Sequence, residues 1–391
     1  MSKLEELIKE FCPNGVEYKK LTDIASVLYG YPCDAALFNE SGKGRPLARI
    51  RDVLAGRTNT YSTENVPEKY ILSKGDLLVG MDGNFHTAIW QVDNAIICQR
   101  VCKIYSKDEN ILLNGFLFHL LRPLMRQIEN NKQSGTVKHL LDKDIKAIVI
   151  PLPALPVQRE IVRVLDSFTL YSAELTAELT ARRKQYEFYR DKLLTFEKTE
   201  VKQMPLGKLA KFTYGYTDVA KDVGDARFIR ITDINEDGCL SSGNCKYITL
   251  NDESKKYLLK EGDLLLARTG ATYGKTLYFP NNEPAVYASF LIKIDLDNSV
   301  ILNRYYWHFS KSNLYWKQAD KYVSKAGQQQ FNTNAVSRVI VPVPPMEVQE
   351  RIVKVLDNFD AICSDLGIGL PAEIEKRQKQ YEYYRDKLLT F

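Results

Sequence analysis

The segment KQYEFYRDKLLTF at 184–196 recurs as KQYEYYRDKLLTF at 379–391, with only Phe188 against Tyr383 differing. A thirteen-residue match 195 positions apart marks an internal duplication, and a duplication fixes the architecture before any local propensity is weighed. The match extends upstream, where VIPLPALPVQREIVRVLDSF (149–168) answers IVPVPPMEVQERIVKVLDNF (340–359) at an offset of 191. The second copy therefore carries four extra residues between its matching blocks, within CSDLGIGLPAEIEKRQ, where the first has AELTAELTARRKQ.

Both copies have a helical period. Ile161, Val164, Phe168, Leu175, Leu179, Tyr186, Tyr189, Leu193 and Phe196 recur at spacings built from three and four, and the second copy repeats the stripe. A stripe of that width predicts a helix packed along its length on a partner helix. Gly367, Gly369 and Pro371 predict a break of the second copy into two helices, while the first copy holds no such breaker and is expected to run nearly unbroken. The tandem SAELTAEL at 172–179 reads as a spacer, because a four-residue unit is about 1.1 helical turns and leaves the packed face nearly in place.

A mixed segment precedes each repeat helix, 15–150 and 203–341, and the two match weakly but in order. LARIRDV (47–53) answers FIRITDI (228–234), and SKGDLLVGMDG (73–83) answers KEGDLLLARTG (260–270). AIICQRVCKIY (95–105) and AVYASFLIKIDL (285–296) are strand-like, and helical runs follow around Phe116 and Tyr306. The expected fold is α+β, with two mixed α/β domains separated by long helices under a pseudo-twofold internal repeat, the helices either packing on each other or each receiving one copy of the same partner. A shared frame with different residues between its fixed points suits two binding modules with different ligands.

Composition narrows the class. With 45% hydrophobic and 26% charged residues the chain reads as soluble and globular, without an apolar run long enough for a membrane helix. The N-terminal MSKLEELIKEF is charged and amphipathic and does not read as a signal peptide. Seven scattered cysteines without CxxC suggest reduced thiols and a cytoplasmic location. A net charge of +5 permits nucleic-acid binding without demanding it.

The doubled helical segment, with the GDLL and RIxD frames in support, resembles the specificity (S) subunit of type I restriction–modification systems over essentially the whole chain. The resemblance implies an N-terminal helix (1–14), target recognition domain 1 (15–150), a central helical spacer (151–200), recognition domain 2 (201–341) and a C-terminal helical spacer (342–391). It implies that each recognition domain reads one half of a bipartite, asymmetric double-stranded DNA target. The helices would form an antiparallel coiled coil that sets the spacing and docks two modification (M) subunits, with restriction (R) subunits joining through the complex. The subunit itself would have no catalytic role and no cofactor. Any closing contact between the chain ends would come from the first fourteen residues.

The residues agree with a non-enzymatic reader. TGATYGKT at 269–276 encloses three residues between its glycines where a phosphate-cradling loop needs four, so it reads as a turn feeding the strand TLYF. Pro344-Pro345 precedes a helix and lacks the aromatic that an amino-methyltransferase motif requires. Four dispersed histidines do not make a metal site, and His119 reads as core. DNA-contact candidates are residue types that bond base edges or phosphates, at matching loops of the two domains. In the first these are Arg49, Arg51, Asp82, Asn84, Lys138 and His139. In the second they are Arg230, Thr232, Arg268, Tyr273, Lys275, Gln328, Gln329 and Gln330. Tyr186, Tyr189, Arg190, Tyr381, Tyr384 and Arg385 are the partner-binding candidates, because Tyr and Arg are enriched at interface centres. A helical scaffold that holds two identical partners without reading DNA is one alternative; a stand-alone DNA methyltransferase or nuclease is another.

Overall fold

The computed structural model describes residues 3–132, 137–197, 201–235, 237–241, 243–280, 283–324, 329–365 and 367–391. The chain divides into two compact units, Met1–Ala173 with Lys376–Phe391, and Glu174–Glu375. The division does not follow the repeat boundaries at 150/151, 200/201 and 341/342. It cuts instead through two helices, the central Leu155–Leu193 and the C-terminal Leu370–Leu389. The central helix is continuous over 39 residues, whereas the second copy breaks into Met346–Ser364 and Leu370–Leu389 at the Gly-Pro segment, as the breakers predict.

Both units are built to one plan. A four-stranded antiparallel sheet runs in the order Ala25–Tyr29, Val101–Ser106, Leu77–Gly80, Thr87–Ile89 in the first unit. Ala210–Tyr214, Leu291–Leu296, Leu264–Ala267 and Thr276–Tyr278 take the same order in the second. A second sheet, of five strands in the first unit and three in the second, contains one parallel pair in each, Arg45–Ala48 with Ala95–Ile97 and Ala226–Ile229 with Ala285–Tyr287. The GDLL frame has a specific cause in this arrangement. Gly75 and Gly262 turn at positive φ (99° and 81°), and Asp76 and Asp263 accept from the backbone N–H three residues earlier at 2.8 and 2.9 Å. The strand that follows is buried on both faces. Leu77 and Val79 enter the core shared with the helices, while Leu78 enters the core under the second sheet, and Leu264, Leu266 and Leu265 divide likewise. A strand between two cores needs an unbroken apolar run, which is what both copies carry.

The segments AIICQRVCKIY and AVYASFLIKIDL each form two strands, because the chain turns at Arg100 (φ 70°) and Phe290 and passes from one sheet to the next.

The buried histidine of each unit is held by one residue from each copy of the repeat. His119, fully buried, places Nε2 2.9 Å from Asp166 and Nδ1 3.1 Å from the Tyr381 hydroxyl. His308, also fully buried, stands 2.8 Å from Asp357 and 3.1 Å from the Tyr186 hydroxyl. The carboxylates only accept, so Nε2 carries the proton of the neutral ring, and each tyrosine hydroxyl donates to Nδ1. Burial pushes His308 down to about 4, and His119 is lowered by the same cause, so both rings are neutral near pH 7. Gln158 and Gln349 repeat a second motif. Each accepts the N–H of a helix-leading leucine (Leu113, Leu302) at 2.9 Å and donates to two carbonyls.

In the first unit the central and C-terminal helices run antiparallel, with Phe168 stacked on Tyr384 at 5.3 Å and Tyr171 under Arg377 at 5.0 Å. The N-terminal helix Lys3–Phe11 packs Leu4, Leu7 and Ile8 into the same core as Leu388, Leu389 and Phe391. That is the closing contact expected of the first fourteen residues. No helix among the described residues is long and apolar enough to cross a membrane.

Candidate nucleic-acid interface

At one edge of the four-stranded sheet both units build the same backbone platform. In the first, Asp82 bridges His139, Gly83 N–H donates to Lys138 O (2.8 Å), Leu140 N–H to Met81 O (2.7 Å) and Met81 N–H to Arg100 O (2.9 Å). In the second, Thr269 bridges Gln330, Gly270 N–H donates to Gln329 O (3.1 Å), Phe331 N–H to Arg268 O (2.7 Å) and Arg268 N–H to Phe290 O (3.1 Å). Gly83 and Gly270 share a φ of 69°, a conformation that a β-carbon would strain.

On this common scaffold the side chains differ in kind. In the first unit the Asp82 carboxylate holds Arg100 Nε at 3.3 Å and His139 Nδ1 at 2.7 Å, and these two side chains are 63% and 50% exposed. Lys138 stands half-buried beside them. In the second unit Arg268 donates from Nε to Ser289 O at 3.0 Å, and its guanidinium lies over the exposed rings of Tyr214 (5.3 Å) and Phe290 (5.4 Å). Gln329 and Gln330 follow on the same bridge. One platform thus offers a charged Arg–Asp–His cluster and the other an aromatic–guanidinium layer with amides. Both sets can bond base edges, with different partners.

The remaining candidates fall elsewhere. Arg49 and Arg230 belong to the frame. Arg49 gives its N–H and Nε to Asp52 (3.3 and 3.2 Å) and Nη2 to Thr60 (2.5 Å), and Arg230 is clamped by Asp233 through three bonds of 2.8–3.1 Å. The repeated spacing of arginine and aspartate is therefore a turn lock, and both candidate guanidinium groups are engaged within their own turns. Arg51 and Thr232, at the variable position of that motif, are exposed. Asn84 is exposed next to the first platform. Tyr273 donates its hydroxyl to Asp320 at 2.7 Å and packs against Trp316 and Phe331. Lys275 lines a separate recess with Arg183 and Arg190. Gln328 lies outside the described residues. The sequence reading missed Arg100, Tyr214 and Phe290. Arg100 and Phe290 stand at turns without glycine, inside runs that look like single strands.

Of the partner-binding candidates, Tyr186, Arg190, Tyr381 and Arg385 are buried within their own units. Tyr186 and Tyr381 serve the histidine networks, and Arg190 and Arg385 lie over those same rings at 5.5 and 5.8 Å. Their outward faces are correspondingly small. Tyr189 and Tyr384 stay 41% and 40% exposed while stacking on Phe359 and Phe168.

The chain matches the family model described as "Type I restriction modification DNA specificity domain" twice, over residues 13–182 and 198–376. It is 31% identical over 320 residues to the type I restriction enzyme EcoR124I/EcoR124II specificity subunit of Escherichia coli, covering 74% of this chain and 73% of that one. It is 26% identical over 382 residues to the EcoBI specificity subunit of the same organism, covering 88% and 79%. Its fold is similar to the crystal structure of a type I restriction–modification S subunit from M. genitalium, with a TM-score of 0.61, 13% identity and 96% of each chain covered. It is similar as well to a chain solved in a study of complex assembly in the type I system, with a TM-score of 0.59, 17% identity and 96% and 98% covered.

Proposed function

The chain belongs to the type I restriction–modification DNA specificity family, and from that premise we propose how its two units divide the work. It is the sequence-specificity subunit of such a complex, and the chemistry on DNA is carried by other subunits. Each unit reads one half of a bipartite, asymmetric duplex target with the loops of its platform. The first uses Arg100, Asp82, Lys138 and His139, and the second uses Arg268, Phe290, Gln329 and Gln330. Arg51, Asn84 and Thr232 border the same surfaces. The repeated helices dock two modification subunits, restriction subunits join through the complex, and the central helix sets the number of unread base pairs between the half-sites. The work is cytoplasmic, where the DNA lies.

The observation that carries this reading is the pair of platforms, alike in backbone hydrogen bonding and unlike in side chains. Phosphate contacts position a protein on DNA, but base contacts specify the sequence, so two readers of different half-sites should share a backbone scaffold and differ at their contact residues. The test exchanges residues 203–341 for the matching segment of a related subunit and maps methylation by the assembled complex. One half of the recognised sequence should change. If both halves change, the units are not independent readers.

A further inference from the structure

A second feature is duplicated, and it behaves in the opposite way to the platforms. In each unit a recess opens between the hairpin after the GDLL strand and the helix that carries the buried histidine, with a volume of about 320 Å³ in the first unit and about 310 Å³ in the second. His86, Thr87 and Arg122 line the first, and Lys275, Thr276 and Lys311 stand in the same places in the second. The sequences have diverged, while size, position and the basic residue types at the two matched places are retained. Arg126 adds a further cation to the first recess, whose one carboxylate, Glu129, already accepts the Phe85 N–H at 2.9 Å. Arg183 and Arg190 add two to the second, against Glu187 and Asp237.

These cations are only partly neutralised. Lys311 pairs with Asp360 at 3.2 Å, and Arg190 reaches Asp191 at 3.4 Å. Arg183 stands 3.8 Å from Asp237, beyond hydrogen-bonding distance. Lys275 and Arg126 have no ion pair among the described residues. Each recess therefore keeps a cation without an ion pair among the described residues, Arg126 in the first and Lys275 in the second, to which an anion is complementary.

A feature kept the same in both units serves something met twice. A DNA backbone is met twice, but its phosphates lie on a stiff, convex rod. The second recess runs from exposed Arg183 down to Ser310 and Tyr186, which are 3% and 8% exposed. A projecting side chain reaches such a floor and a duplex does not. We propose that the two recesses are sockets, each taking one acidic side chain from one of two identical protein partners. The proposal rests on the reading that two modification subunits assemble on this chain.

Zero-length carbodiimide coupling tests it, because the reagent joins an amine to a carboxylate only where the two touch. The full chain is assembled with its modification subunits, coupled without DNA and mapped by mass spectrometry. Lys275 should link to one Asp or Glu of the modification subunit, and Lys275→Arg should abolish the link. Arg126→Lys should create a second link, from the first unit to the same partner residue. Lys275→Glu and Arg126→Glu should each weaken one of the two partner-binding events by about tenfold or more, so that native mass spectrometry finds a single bound copy. An assembled complex in which Lys275 links only within its own chain, or to nothing, overturns the proposal. So does full assembly by both reversal variants with a loss confined to DNA affinity, which would assign the recesses to phosphates. A wild-type chain that fails to assemble at all refutes the docking reading beneath it.

Discussion

Tyr186→Phe removes one hydroxyl and nothing else, and the structure gives its cost. The hydroxyl donates to His308 Nδ1 at 3.1 Å, and His308 is fully buried with its other nitrogen donating to Asp357. Phenylalanine fills the same space, so no cavity opens. What remains is an acceptor without a donor in a site closed to water, which costs about 1–3 kcal/mol. For a unit of this size each kcal/mol lowers the melting temperature by roughly 2–4 °C, so a drop of about 2–12 °C is expected for the second unit. Tyr381→Phe should do the same to the first unit through His119. Hydrogen exchange during urea unfolding reads the units separately. Protection should fall across 283–323 for Tyr186→Phe and across 77–130 for Tyr381→Phe. Adding His308→Leu to Tyr186→Phe removes both polar partners, and the double variant should be less destabilised than the sum of the singles. If Tyr381→Phe weakens the second unit, or if neither variant costs more than about 0.5 kcal/mol, the exchanged packing of the repeats is wrong.

Acid should act on the second unit in a defined window. His308 has its folded value depressed to about 4, so its stabilisation is complete above the unfolded value near 6.5 and is lost as pH falls towards 4. The slope should reach about 1.4 kcal/mol per pH unit in urea melts, and His308→Gln should flatten it; Asp357, also depressed, acts below that window. Tyr189→Ala with Tyr384→Ala should weaken modification-subunit assembly by roughly 2 kcal/mol per site, measured by co-purification against a correctly folded chain. Inserting one TAEL after Leu179 lengthens the helix by about 6 Å, and methylation mapping should find both half-sites intact with one or two more base pairs between them.

The duplication, the break at Gly367–Pro371, the uninterrupted first helix and the core position of His119 were all legible, because each is a local signal written in residue type and spacing. The cut between units was not. Periodicity gives a helix an apolar face without saying which surface covers it, and the two thirteen-residue segments present the same face. Interfaces and polar core networks use the same residue types, and of the six candidate tyrosines and arginines only Tyr189 and Tyr384 keep a sizeable outward face. The platforms were half legible. Asp82, Lys138, His139, Arg268 and the glutamines sit at irregular polar stretches, while Arg100 and Phe290 are hidden in apolar alternation. The clamp on the arginines of the RIxD frame was not legible, because an aspartate three residues away gives no sign of it until the turn closes.

The exchanged packing also sets a problem for the nascent chain. Residues 184–196 leave the ribosome long before 379–391, while the slot formed by His119 and Asp166 still lacks its tyrosine. The earlier segment carries everything the slot requires, with Tyr186 in place of Tyr381 and Arg190 in place of Arg385. Side-chain chemistry cannot sort two segments that differ at one position. Stiffness can: twenty residues of unbroken helix separate Asp166 from Tyr186, holding them about 30 Å apart, and docking in cis would require that helix to fold back on itself. The absence of glycine and proline between Val157 and Leu193 is then a device against misfolding. A Gly-Pro pair placed within SAELTAEL would remove it, leaving the second unit to compete with the first for the same thirteen residues.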